Sequence, residues 1–228
     1  MGTVWRLYHG SSHVIERPIF GQGKPYDDYG LGFYCAERAD LAREWASAPD
    51  RDGFVNAYRI DTQGLDVLDL EDGTYPALSW LAVLLENRSF DISSALAMEA
   101  KEYILKTFLP AYTDRDVIIG YRADDSHFSF AQDFIGGAIS YGQLTRAMRL
   151  GKLGRQVVMK SRRAFERLEF IGAEPVDSSI WFGRRMLRDR AARREYLGSE
   201  RTRARQKGDL YISQIIDEEM GPDDARLR

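Results

Sequence analysis

One cysteine, Cys35, stands among 228 residues, and that scarcity excludes an internal disulfide framework. A lone thiol fits a reducing compartment, and beside Tyr34 it reads as a small buried hydrophobe. Histidine is nearly as scarce. His9, His13 and His127 lack the spacing of metal ligands, so no metal is expected. The longest apolar run, Leu78 to Leu85, is far too short to span a bilayer. No basic stretch followed by an apolar one opens the chain, and Gly2 lacks the downstream serine or threonine of a myristoylation signal. Gly21-Gln22-Gly23-Lys24 is too short for a Walker phosphate loop, and no nucleophile elbow of the serine hydrolases occurs. Together these absences lead us to expect a cytoplasmic protein with no membrane partner.

What is present supports a real core. Apolar residues make up 44% of the chain, which suits one domain, or one domain with an appendage. The net charge of −3 hides an imbalance. Residues 178–207 hold nine Arg and one Lys against Asp189, Glu195 and Glu200, a local charge of +7 that leaves −10 elsewhere. Such asymmetry suits a segment that meets an anionic surface. A solvated helix, nucleic-acid phosphates and an acidic partner protein are all compatible with it.

In order, Val4 to Tyr8 reads as a strand, Ser11 to Gly30 as a loop, and Glu37 to Ser47 as a helix whose Leu41 and Trp45 pack inward. Asp27 and Asp28 suit either an anchor for that loop or a solvated turn. Phe54 to Asp61 and Leu65 to Leu70 read as strands, and Tyr75 to Arg88 and Ser93 to Phe108 as helices. Asp116 to Tyr121 is a buried strand, followed by Ala123-Asp124-Asp125. Those carboxylates suit either a ribose hydroxyl or a helix cap. Two more helices, the strand Gly154 to Lys160, and a short helix follow, and Glu169 to Val176 closes the domain. Ser178 to Lys207 is expected to be a long helical stretch broken near Gly198-Ser199, Asp209 to Met220 a last helix, and Gly221 to Arg228 a fraying end. The expected domains are thus 1–177 and an Arg-rich extension, 178–228.

Two stretches carry most chemistry. Trp5 to Ser12 reads W-R-L-Y-H-G-S-S, and Asp27 to Ala36 reads D-D-Y-G-L-G-F-Y-C-A. Glycine lets a flat ligand approach the main chain, and an aromatic ring offers a stacking face. Tyr8-His9-Gly10-Ser11, and Asp27-Asp28 through Gly32-Phe33-Tyr34, resemble the NAD-binding core of the diphtheria-toxin class of ADP-ribosyltransferases. They resemble still more a bacterial family of small proteins allied to that fold, many encoded beside antitoxin genes. The resemblance covers most of residues 4–170.

It implies an α+β fold with two small antiparallel sheets around an NAD cleft, helical insertions and a C-terminal helical appendage. It implies that the Gly10 main chain grips the nicotinamide amide, His9 bonds a ribose, and Tyr34 stacks on the ring. Ser11, Phe33, Asp28 and Asp124 would complete the NAD contacts. Catalysis would rest on His9, Tyr34 and the residue at position 156. There the diphtheria pattern has a glutamate, whereas this chain has Gln156, which can orient a ribose but carries no charge. Glu166 and Glu169 are the nearby carboxylates that could stand in. The implied activity is transfer of ADP-ribose from NAD to a nucleic acid or protein, in a toxin–antitoxin or phage-defence unit with an acidic antitoxin as possible partner. An NAD glycohydrolase, or a degenerate NAD-binding or interaction module, is the alternative.

Overall fold

The computed structural model describes residues 3–123 and 125–228. In chain order these form β1 (Val4–Ser11), β2 (Phe33–Ala36), α1 (Ala39–Ala46), β3 (Gly53–Asp61), β4 (Val67–Asp69), α2 (Ala77–Asn87), α3 (Ala95–Phe108) and β5 (Val117–Tyr121). There follow α4 (Asp125–Ile135), α5 (Tyr141–Ala147), β6 (Arg155–Met159), α6 (Arg162–Glu166), β7 (Leu168–Val176), α7 (Ser178–Glu195) and α8 (Ile212–Asp217). A π turn at Tyr196–Glu200 ends the long helix at the expected Gly198-Ser199 break.

The chain divides into two compact units, interleaved along the sequence. The first takes the described residues of Met1–Asp69, Ala111–Arg122 and Leu153–Arg188; the second takes those of Leu70–Pro110, Ala123–Lys152 and Asp189–Arg228. The division passes through α7 rather than falling at residue 178. The helical insertion and the chain end group together because both bury apolar faces in the second unit.

The first unit is α+β and holds the sheet, whose strand order is β4-β5-β6-β2-β1-β3-β7. Only β4 and β5 run parallel. The expectation of two separate sheets is corrected: there is one mixed sheet of seven strands. Its two halves meet at a single registered pair, Tyr8↔Ala36. By contrast β1 pairs β3 from Val4↔Asp61 to Ser11↔Phe54, and β2 pairs β6 from Phe33↔Met159 to Ala36↔Gln156. One pair suffices to join what the resemblance implied would be two sheets.

Side chains alternate across the sheet. Leu7, Cys35, Val157 and Ile119 share one buried face with Ala164 of α6. Tyr8 and Val55 face the other way, against Ala42 and Ala46 of α1. Gly10 makes that packing possible. A Cβ there would lie 2.1 Å from the Ala42 carbonyl oxygen and 2.7 Å from the Ala46 nitrogen.

In the second unit, Leu78–Leu85 of α2 is buried all round, so the longest apolar run is a core helix. Among the described residues no helix is long and apolar enough to cross a membrane. In α3 the buried residues are Ala97, Ala100, Ile104 and Phe108, the face its periodicity marks. The chain end does not fray as expected. Leu227 is 1% exposed, and its carbonyl accepts a 2.7 Å hydrogen bond from the Tyr141 hydroxyl. A buried leucine and a satisfied carbonyl outweigh the entropy of a free end.

Candidate functional site

His9 sits near the end of β1, opposite Asn56 of β3. Its ring stacks on Phe33 with centroids 4.4 Å apart, and its Nδ1 lies 2.7 Å from the Tyr34 carbonyl oxygen. A carbonyl can only accept, so Nδ1 carries the proton and Nε2 presents a lone pair. Burial lowers the pKa of His9 below its usual value; the Tyr34 bond opposes this, while Arg122 and His13 add to it. The imidazole is therefore neutral at neutral pH, with Nε2 an acceptor.

Gly10 follows, past the last registered pair between β1 and β2. Ser11 turns toward the loop: its hydroxyl donates to the His13 carbonyl at 2.5 Å and accepts from Asn56 Nδ2 at 2.9 Å. That donor is committed, which leaves the expected NAD contact of Ser11 without its proton. Asn56, fully buried, also accepts from the Ile15 amide at 2.8 Å, and the Tyr58 hydroxyl donates to the Ile15 carbonyl. The loop after β1 is thus pinned by polar groups of β3, which sequence reasoning missed.

Tyr34 organises the other end of that loop. Its hydroxyl donates to the Gly30 carbonyl at 2.5 Å and accepts from the Tyr29 amide at 3.0 Å. Burial raises the phenol's pKa far above its usual value, the Tyr29 amide opposes this, and the charges of Asp27 and Asp28 add to the rise. Asp28 is itself 8% exposed. The Lys160 ammonium donates to the Tyr29 and Leu31 carbonyls at 2.6 and 2.7 Å, and burial lowers its pKa to about 8.

The alternation of β2 sends Tyr34 to the face opposite Phe33 and Cys35, whereas His9 lies against Phe33. His9 and Tyr34 are therefore neighbours through the main chain. The imidazole and the phenol, expected to hold one nucleotide together, thus stand on opposite faces of the sheet, on either side of the split. Phe33 acts as the floor of the His9 ring. Asp124 lies outside the described residues.

Gln156 opens β6, in register with Ala36 on one side and Gly120 on the other. Ala36 is in turn registered with Tyr8, so Gln156 shares the Tyr34 face. It is 9% exposed, and its Oε1 is buried with no hydrogen-bond partner among the described residues. Such an orphan is unusual and suits an acceptor awaiting a donor. Neither stand-in carboxylate reaches it. Glu169 is held by Arg59 at 2.6 Å, and Glu166 belongs to α6, on the opposite face. A cavity of about 690 Å³ is lined by Val4, Arg59, Asp61, Gln63, Arg167 and Glu169. Of the expected residues it contains only the stand-in Glu169, and its arginines are already held by Glu169 and the Gln63 carbonyl.

The Arg-rich segment is no solvated helix over its first turns. Arg188 bonds Glu44 at 2.8 Å, and Arg185 stacks over Trp45 at 3.8 Å from the ring centre. Trp45, assigned to packing from its spacing, is 37% exposed. Arg122 approaches the same ring at 5.8 Å and also acts on the charge of His9. Periodicity could not reveal either, because both depend on contacts between distant segments.

The fold and site define an α+β protein whose mixed sheet parts beside a neutral imidazole. Residues 5–170 match the family model described as a protein of unknown function, DUF3990, and the chain belongs to that family. No curated protein and no solved structure matches it.

Proposed function

We propose that the chain is an NAD-dependent ADP-ribosyltransferase with a macromolecular acceptor, serving as the toxin of a toxin–antitoxin or phage-defence unit. The observation that carries this reading is the split past Tyr8↔Ala36, where Gly10, still registered with Val55 of β3, has no registered partner in β2 beside neutral His9. Main chain at the open side of a ladder suits a carboxamide, which both donates and accepts. His9 Nε2 and Gln156 Oε1 are acceptors, and ribose offers hydroxyl donors. The fit is therefore chemical: one acceptor on either face of the sheet for ribose hydroxyls, and backbone open on one side for an amide. Tyr34 holds the Tyr29–Gly30 turn beside the split through its hydroxyl, so besides the expected stacking its part is to shape the loop.

In the reaction, the bond from nicotinamide to ribose C1′ breaks, nicotinamide leaves with the electron pair, and an acceptor oxygen or nitrogen bonds C1′ and loses its proton to solvent. The protein's part is to orient the sugar, which can supply several powers of ten in rate. Gln156 supplies no negative charge, so we expect slower turnover than a glutamate would allow.

Incubation of the protein with NAD labelled in its adenylate half, together with a cell extract, tests the reading. Label on RNA, DNA or protein is expected. Free ADP-ribose alone would replace the transferase by a glycohydrolase, and unchanged NAD would remove both.

A further inference from the structure

Two tryptophans in the first unit each have two guanidinium groups within about 6 Å of the ring centre. Trp45 has Arg185 at 3.8 Å and Arg122 at 5.8 Å, and Trp181 has Arg184 at 4.7 Å and Arg43 at 5.4 Å. The Arg188–Glu44 pair joins α7 to α1, and both clusters lie along that contact. Arg43 is neutralised by Glu174. Arg184 and Arg185 have no carboxylate partner among the described residues, and they stand in a segment of charge +7. Trp45 is 37% exposed, whereas Trp181 is partly buried against Ala42, Ala46 and Val55. An exposed indole beside unneutralised guanidiniums is what a flexible polyanion with stacking bases recognises. A duplex hides its base faces, and an acidic peptide has no need of them.

We infer that this face binds single-stranded nucleic acid and presents it to the split as the acceptor of ADP-ribose. The position supports the second half. Trp45 immediately precedes Ala46, whose nitrogen packs against Gly10, and Arg122 touches Trp45 while acting on His9. A strand lying on Trp45 therefore ends next to the split. The inference of binding stands alone; that of acceptor rests on the proposed transferase. In the transfer, C1′ loses nicotinamide with its electron pair and gains a base or sugar heteroatom of the strand, whose proton passes to solvent.

The test uses the full chain and fluorescent oligonucleotides, single-stranded and duplex, followed by anisotropy over a salt series. Single strands are expected to bind more tightly than duplex, with log affinity falling against log salt by about −1.4 or steeper, from two or more phosphate contacts. Arg184→Gln with Arg185→Gln should weaken binding about tenfold or more and flatten that slope by about 1.4. Trp45→Ala should weaken binding about tenfold with the slope kept, since stacking is lost but not charge. A slope unchanged in the double variant, which a misfolded protein could not mimic, overturns the inference, as does equal binding of duplex. NAD turnover without oligonucleotide should be the same in the double variant as in the unsubstituted chain. If NAD is consumed but no strand binds, this inference fails and the transferase stands. If a strand binds as expected and NAD is untouched, the surface stands and the transferase fails.

Discussion

His9 and Tyr34 are joined by one hydrogen bond, from Nδ1 to a main-chain oxygen at 2.7 Å, where β1 and β2 stop pairing. The side chain of one strand thus takes the place of the next ladder bond. It fixes the tautomer and leaves Nε2 with a lone pair. His9→Ala should lower NAD turnover by about 100-fold or more, the scale of removing one preorganised group. Retained turnover in a folded variant would show that Nε2 does not act.

Under the proposed transferase, the same ring is expected to set the acid limit of turnover. Its pKa is lowered in the folded protein, so it takes up a proton only below the ordinary histidine range. Stability and turnover from this group are present above about pH 6.5 and lost as pH falls through the lowered value. A pH profile of NAD turnover should place its acid limb below about 6.5, and a limb above that would assign it to another group.

Gln156 separates function from stability. Its Oε1 has no partner to lose, so Gln156→Ala should change stability only through lost packing, by about 1 kcal/mol, while turnover falls. Gln156→Glu should raise turnover by supplying charge, with reduced stability from burying it. Urea midpoints and initial rates measured on both variants decide the matter.

Gly10→Ala places a methyl group 2.1 Å from the Ala42 carbonyl oxygen. Helix α1 must move, at about 1–3 kcal/mol or more. Chemical denaturation reads this directly, and an unaffected midpoint would mean that α1 does not pack there.

Lys160 predicts a rise in stability with pH. Its folded pKa of about 8 lies below the unfolded value of 10.5. Between those values the unfolded chain binds more protons, so stability increases from pH 8 to 10.5 and is lost as pH falls back through 8. Lys160→Met should abolish that pH dependence while freeing the Tyr29 and Leu31 carbonyls, measurable as faster proteolysis of the loop.

Much of the secondary structure was legible because period and composition are local. The alternation Phe54, Asn56, Tyr58, Ile60 marks β3, and the spacing of Ala97, Ala100, Ile104 and Phe108 marks α3. Asn56 was read only as one position in that alternation. That it holds Ser11 and Ile15 depends on the register of β3 with β1, which no local pattern encodes.

By itself, the sequence determined which residues the proposal rests on: an imidazole and a glycine near the end of one strand, a phenol in the next, and an amide where the resemblance implies a carboxylate. Tertiary structure alone decided that the strands make one sheet joined at Tyr8↔Ala36, and that His9 and Tyr34 leave it on opposite faces. It also decided that Trp45 and the arginines of α7 share a surface. Strand pairing and helix docking join residues far apart in the chain, and their geometry follows from the burial of whole faces rather than from any one segment's propensity.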